Sequence, residues 1–219
     1  MADNPLSHKT YGIARVFKFG GLTLTFTDGE GTQILSSKGR IAVTQQPITS
    51  MDGKTLATIT HKILAMTPEY QIHEGGPKDK VLGVVKVPMQ FIGSLGGLNK
   101  VEIKDESGAL LATVSGNFLD MEFNIVDAQG NAVATVSRKM QGSAGLVGKL
   151  AAFARESYVM NITDNSKVTT LTLLGFLVVL ELLLSRGQAS NPGLLGGIAG
   201  GLGGGGLGGF GGGGRGIGF

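Results

Sequence analysis

The chain contains no cysteine and no tryptophan, only three histidines, and no run of charge of one sign. Without thiols there is no disulfide framework, thiolate metal site, cysteine nucleophile or S-palmitoyl anchor. His8, His61 and His73 are far apart and lack an H-x-x-x-H spacing, so they read as surface or strand-face residues, not as metal ligands. No serine occupies a G-x-S-x-G elbow, and nothing pairs any two of Glu74, Asp79, Glu102 and Asp105 for acid–base work. The glycines of Ile92–Leu98 lack the Lys-Ser/Thr of a phosphate-binding loop. The reading is therefore non-enzymatic, with no metal and no cofactor. The net charge is only +3, scattered along the chain, which argues against a nucleic-acid partner. The opening residues show no apolar h-region, so the expected location is cytoplasmic and peripheral at membranes, not secreted.

Glycine is abundant, but unevenly so. Of 38 glycines, 18 lie in residues 187–219, a tail with one charge, Arg215. Gly at this density defeats a helix, so 187–219 is read as a disordered, low-complexity tether or a self-associating segment. The expected division is an arm at 1–12, a folded domain at 13–186 and that tail.

The body is written in short β segments. Residues 13–19, 22–26, 32–36, 40–44, 55–60, 69–73, 81–87, 100–104, 110–114, 121–126, 132–137 and 157–162 are rich in β-branched residues and separated by turn signals. A unit G-x-x-[LV]-A-T-[IV] recurs from Gly53, Gly108 and Gly130, with Asp52, Asp105 and Asp127 shortly before each glycine. Glycine supplies the positive φ of a hairpin turn, Asp supports the turn, and the following residues alternate faces along the outgoing strand.

After Ile162 the period changes. Asp164, Asn165 and Ser166 offer N-caps, and 167–186 then runs as a helix with Gly187 as its expected C′ residue. At about 100° per residue its apolar side chains cover every face, so it is enclosed either by protein or by lipid. Val168 to Leu184 would span roughly 25 Å against the roughly 30 Å of a bilayer core. Glu181 interrupts the run, at a few kcal/mol in lipid. A core helix is favoured, with Leu173, Leu174, Phe176, Leu177, Val178 and Leu180 inside.

The D-x-x-G-x-x-V-A-T-V-S-R-K hairpin, the aromatic strand Tyr158–Ile162, the polar turn and the apolar final helix resemble the tubby-like superfamily. Within it the likeness is best to the phospholipid scramblase and LURP-one-related branch, which Gly116-Asn-Phe118 with Phe123-Asn-Ile125 also resembles. The likeness covers 105–186 best and implies a mainly β fold, a closed barrel of roughly twelve strands threaded by its C-terminal helix. It further implies a peripheral module that contacts anionic phospholipid or phosphoinositide headgroups, or protein partners. The calcium stretch and the Cys cluster of scramblases are absent from this sequence, so the LURP-one-like module is the better comparison. On this resemblance Lys38, Arg40, Arg138 and Lys139 are candidate phosphate contacts, alongside Lys78 and Lys80. The insert at 140–156 adds Lys149 and Arg155 beside Leu146, Val147, Leu150 and Phe153 at helical spacing, a surface-lying or barrel-capping helix. Two other readings remain: a scramblase-like protein anchored by 168–184, and a structural or protein-interaction barrel with a self-associating tail.

Overall fold

A computed structural model describes residues 4–18, 21–40, 45–62, 68–87, 100–117, 122–137 and 156–190, with backbone alone at 16–18, 40, 156 and 185–190. Twelve strands follow one another among these residues: β1 (Thr10–Lys18), β2 (Gly21–Thr27), β3 (Gln33–Arg40), β4 (Gln45–Ser50), β5 (Thr55–Lys62) and β6 (Glu69–Glu74) come first. Then come β7 (Val81–Lys86), β8 (Lys100–Lys104), β9 (Leu110–Asn117), β10 (Glu122–Asp127), β11 (Ala132–Ser137), β12 (Glu156–Ile162) and the helix α1 (Thr170–Ser190). Each strand pairs antiparallel with its neighbours in sequence, and β1 closes on β12 from Thr10↔Asn161 to Arg15↔Glu156. Closure removes the unpaired edges that an open sheet would present.

The turns explain the repeat. In Asp28–Thr32, Asp105–Ala109 and Asp127–Asn131 the fourth residue is a glycine at φ 86–90°, and the first and fifth exchange the closing backbone bond. The leading carboxylate accepts amide N–H bonds from within its own turn: Asp28 from Glu30 and Thr32, Asp127 from Gln129 and Asn131. The glycine is thus the extra residue of a G1 bulge, and a separate register shift three residues on skips Ile34, Leu111 and Val133. At Ser50–Lys54 a serine opens the turn instead, and Asp52, one residue before Gly53, is held by the Ser50 hydroxyl.

The fourth strand departs from expectation. The sequence favoured 40–44; the strand is Gln45–Ser50, containing Pro47, while Arg40 ends β3 and 41–44 lie outside the described residues. Pro47 pairs with Thr58 of β5, while the β3–β4 ladder ends beside it at Ser37↔Ile48, so on the β3 side it stands at the edge of a ladder, where proline is tolerated.

Inward positions at every second residue build one core: Tyr11 and Ile13, Leu22, Leu24 and Phe26, Ile59, Tyr70 and Ile72, Ile103, Val114, Ile125, Tyr158 and Met160, all at most 1 % exposed. Into this space runs α1, and Leu173, Leu174, Phe176, Leu177, Val178 and Leu180 are likewise 0–1 % exposed. The helix is therefore the filling of the barrel. It starts later than the sequence suggested and runs beyond Gly187. Asp164 spends its carboxylate on the amide and hydroxyl of Ser166, and the cap is Thr169, whose Oγ1 accepts the Thr172 amide at 3.2 Å.

Candidate interaction rim

Strand direction sorts the connections. The links β2–β3, β4–β5, β6–β7, β8–β9 and β10–β11 and the entry to α1 all lie at one rim, called here the turn rim. The strand ends Lys18, Gly21, Arg40, Gln45, Lys62, Glu69, Lys86, Lys100, Asn117, Glu122, Ser137 and Glu156 define the opposite rim, and α1 runs toward it. Charge is divided between the two. The turn rim carries Asp28, Glu30, Asp52, Glu74, Asp79, Asp105, Glu106, Asp127 and Asp164 against Lys9, Lys54, Lys78, Lys80, Lys104 and Lys167. The opposite rim carries Lys18, Lys38, Arg40, Lys62, Lys86 and Lys100 against Glu69, Glu122 and Glu156.

Of the residues singled out from sequence, Lys38 is exposed on β3 near the basic rim and Arg40 ends the same strand there. Arg138, Lys139, Lys149, Arg155 and the insert at 140–156 lie outside the described residues. Ser137 and Glu156, which flank 138–155 in the sequence, end their strands at the basic rim, and 138–155 has four bases and no acid in its sequence. Lys78 and Lys80 are at the turn rim, away from the others.

Sequence reasoning missed the lysine ladder on the outer face of β5 to β8. Lys62, Glu69 and Lys86 stand in register on adjacent strands, with Glu69 bonded to Lys62 at 2.8 Å and to Lys86 at 3.4 Å. On β8, Glu102 sits between Lys100 at 3.4 Å and Lys104 at 3.1 Å. The Lys62 hydrogen bond, then Lys86, holds the Glu69 carboxyl below its usual range; Lys104, then Lys100, does the same for Glu102. The lysines keep 58 %, 62 % and 58 % side-chain exposure at Lys62, Lys86 and Lys100, so their ammonium groups still face water. Only strand register brings them together, but the charged residues at alternate positions of KVEIK were a visible signal.

Acid–base chemistry finds no support in this geometry. Glu74 and Asp79 border a cleft of about 560 Å³ at the turn rim, lined also by Leu6, Lys54, Lys80 and Leu171. Asp79 accepts the Gly76 amide at 2.6 Å, while Glu102 and Asp105 belong to β8 and its turn. His73 is buried, with Nε2 3.0 Å from Thr60 Oγ1 and Nδ1 3.1 Å from the Asp79 carbonyl oxygen. His61 lies against the Tyr70 ring at 4.6 Å. Among the described residues no group of His, Asp and Glu is placed to hold a metal ion.

One inward charge was also missed. Tyr11, Ile13 and Arg15 share a strand face by period, so a basic residue on the apolar face of β1 was legible as an anomaly. Arg15 Nη1 donates to Glu181 Oε2 of α1 at 2.8 Å, with side chains 4 % and 1 % exposed. The charge that argued against a lipid span thus has its partner inside the barrel.

A closed antiparallel meander whose interior is occupied by a buried C-terminal helix defines a class of β-barrel module. The LURP-one-related family profile matches residues 9–181, and the chain belongs to that family. No curated protein matches it. Among solved structures it is similar to the X-ray structure of a protein from Arabidopsis thaliana, with 16 % identity, a TM-score of 0.54, and 83 % of this chain and 96 % of that chain covered. Identity that low speaks for the fold alone.

Proposed function

We propose that the protein is a non-enzymatic, membrane-peripheral module whose basic rim rests on anionic lipid headgroups. The observation that carries this reading is the segregation of charge: a net charge of +3 on the whole chain conceals one acidic and one basic rim. A barrel so polarised is oriented by a negative surface before it touches it, and exposed lysines close to that surface contribute about 1 kcal/mol each. Lys38, Lys62, Lys86 and Lys100 are exposed on this side, and Ser137 and Glu156, which flank the basic segment 138–155 in the sequence, end their strands there. The turn rim then faces away from the membrane.

The scramblase-like alternative needs the helix for lipid. In the barrel, the apolar surface of α1 is occupied by strand side chains, and among the described residues no helix is long and apolar enough to cross a membrane. The self-associating tail of the third reading lies outside the described residues.

Co-sedimentation with vesicles tests the proposal. Binding to phosphatidylcholine vesicles containing phosphatidylserine is expected at low salt, declining steeply with salt, with none to phosphatidylcholine alone. Lys38→Gln, Lys62→Gln and Lys100→Gln together should weaken binding on the order of 100-fold, at about 1 kcal/mol each. Equal binding by this triple variant, or binding indifferent to lipid charge, would sink the proposal.

A further inference from the structure

Strand alternation divides side chains between the barrel interior and its outer wall. On β1, Tyr11, Ile13 and Arg15 point inward, so Gly12 and Ala14 belong to the wall. On β12, Tyr158 and Met160 point inward, so Val159 belongs to it as well. Elsewhere wall positions meet water: Asn124 of β10 and Thr135 of β11, in register with one another, are both exposed. Gly12 is nevertheless buried, Ala14 is 3 % exposed and Val159 is 1 % exposed.

Cross-strand neighbours do not account for this. Val84, on the wall of β7, is 8 % exposed, but it stands in register between Gln71 and Lys104, whose long side chains can fold over it. Val159 stands between Gly12 and Ser137, and Ala14 between Thr25 and Ser157. Side chains that short would leave the Val159 methyl groups in water. Another part of the same chain therefore lies over the wall where the first and last strands meet.

Among the described residues, nothing outside the strands and α1 supplies that cover. The arm before β1 is engaged at the turn rim, where the Tyr11 hydroxyl donates to the Pro5 carbonyl oxygen, and Lys167 on the approach to α1 binds Asp127 there. Of the remaining stretches, 138–155 has both the position and the length. It follows Ser137, the partner of Val159, and precedes Glu156, the partner of Arg15, so its ends flank this seam. It is also far longer than the roughly 2–5 residues that join adjacent antiparallel strands. Leu146, Val147, Leu150 and Phe153 fall on one side at helical spacing, with Lys149 at the margin and Arg155 opposite. The other long stretches fit worse: 88–99 joins β7 to β8 on the far side of the barrel, and 191–219 is mostly glycine.

We infer that 138–155 folds back on the outer wall of β1 and β12, its apolar side against Ala14 and Val159, and clamps the strand pair that closes the barrel. Its apolar face is then occupied by protein, which leaves only its bases to meet an anionic surface. The clamp holds whether or not the rim binds lipid.

Because the chain has no cysteine, single engineered thiols report the cover without background. Ala14→Cys and Val159→Cys should each react with a maleimide on the order of 100-fold more slowly than Thr135→Cys, every rate taken against the same chain unfolded in urea. Adding Leu150→Asp with Phe153→Asp, which touches no strand, should raise Ala14→Cys to the rate of Thr135→Cys. Removing 141–153, which leaves about five residues to join the strands, should do the same. Fast reaction of Ala14→Cys in the otherwise unaltered chain would show an open wall, and protection retained in either folded variant would give the cover to another stretch; both overturn the inference. Protection that fades on dilution would give the wall to a second copy and overturns it too. If neither variant folds, oxidation in the full chain decides. Val159→Cys should then form a disulfide with Leu146→Cys, Leu150→Cys or Phe153→Cys, and none with Leu95→Cys. Failure of all three, or a bond to position 95, overturns the inference.

Discussion

Arg15→Met leaves the Glu181 carboxylate inside the barrel at 1 % exposure without its guanidinium. Methionine replaces most of the aliphatic stem of arginine, so the lost packing is small and the loss of the guanidinium partner dominates. Breaking a buried pair in this way costs about 3–5 kcal/mol. Glu181 also takes part in further interactions, which points to the lower end of that range. For a domain of this size each kcal/mol moves the midpoint of melting by about 2–4 °C, so the variant should melt about 6–12 °C below the parent. Adding Glu181→Leu should recover most of that loss, because replacing a buried pair by apolar residues of similar volume is often neutral or stabilising. The assay is a thermal melt followed in the far-ultraviolet and in the tyrosine near-ultraviolet bands. With no tryptophan, and with Tyr11, Tyr70 and Tyr158 all at most 1 % exposed, the second signal reports the barrel interior. A single variant melting within about 2 °C of the parent, or a double variant worse than the single, would refute the reasoning.

Two further outcomes follow from the geometry. Gly175→Ala should destabilise by up to about 2 kcal/mol in urea titration: overpacking against Ile72 Cγ2 costs about 1–3 kcal/mol, and the better helix former returns about 1. Adding Ile72→Ala removes the atoms it would meet, so the alanine should cost nothing in that background. Acid should also loosen the turn rim. The Asn131 side chain, with backbone amides and Lys167, holds the Asp127 carboxyl down at about 2; Ser50 lowers Asp52, Ser107 lowers Asp105 and the Ser166 amide lowers Asp164. A carboxyl depressed in the folded state contributes stability above its unfolded value near 3.9, lost as pH falls toward the folded value. Stability should therefore fall between about pH 4 and pH 2. In Asp127→Asn the drop should be smaller, and an unchanged acid profile would contradict the assignment.

Much of the wall was legible in the chain. The repeated Asp-x-x-Gly turns are local chemistry: a carboxylate accepts amides within five residues, and glycine takes φ near 87° at Gly130. Residue identity alone supplies both, so hairpins could be read without knowing their neighbours. Strand β4 at Gln45–Ser50 was not read from the sequence because the tolerance for Pro47 depends on where a partner ladder ends, a property of register. The helix start was misread for a similar reason, since Asp164, Ser166 and Thr169 all suit a cap and only the folded turn decides which side chain is already engaged.

The candidate rim divides in the same way. Basic pairs such as Lys38 and Arg40 could be picked out along the chain, but their gathering at one end follows from strand direction. The Lys62–Glu69–Lys86 ladder follows from alignment across three strands. For α1, sequence alone determined that an all-round apolar helix needs an enclosure and that Glu181 makes lipid a poor one. Tertiary structure alone decided what encloses it and at what rotation. Hydrophobic burial is non-directional and is written in composition. The partner of a buried carboxylate must be a particular side chain at 2.8 Å, here supplied from Arg15 on the first strand.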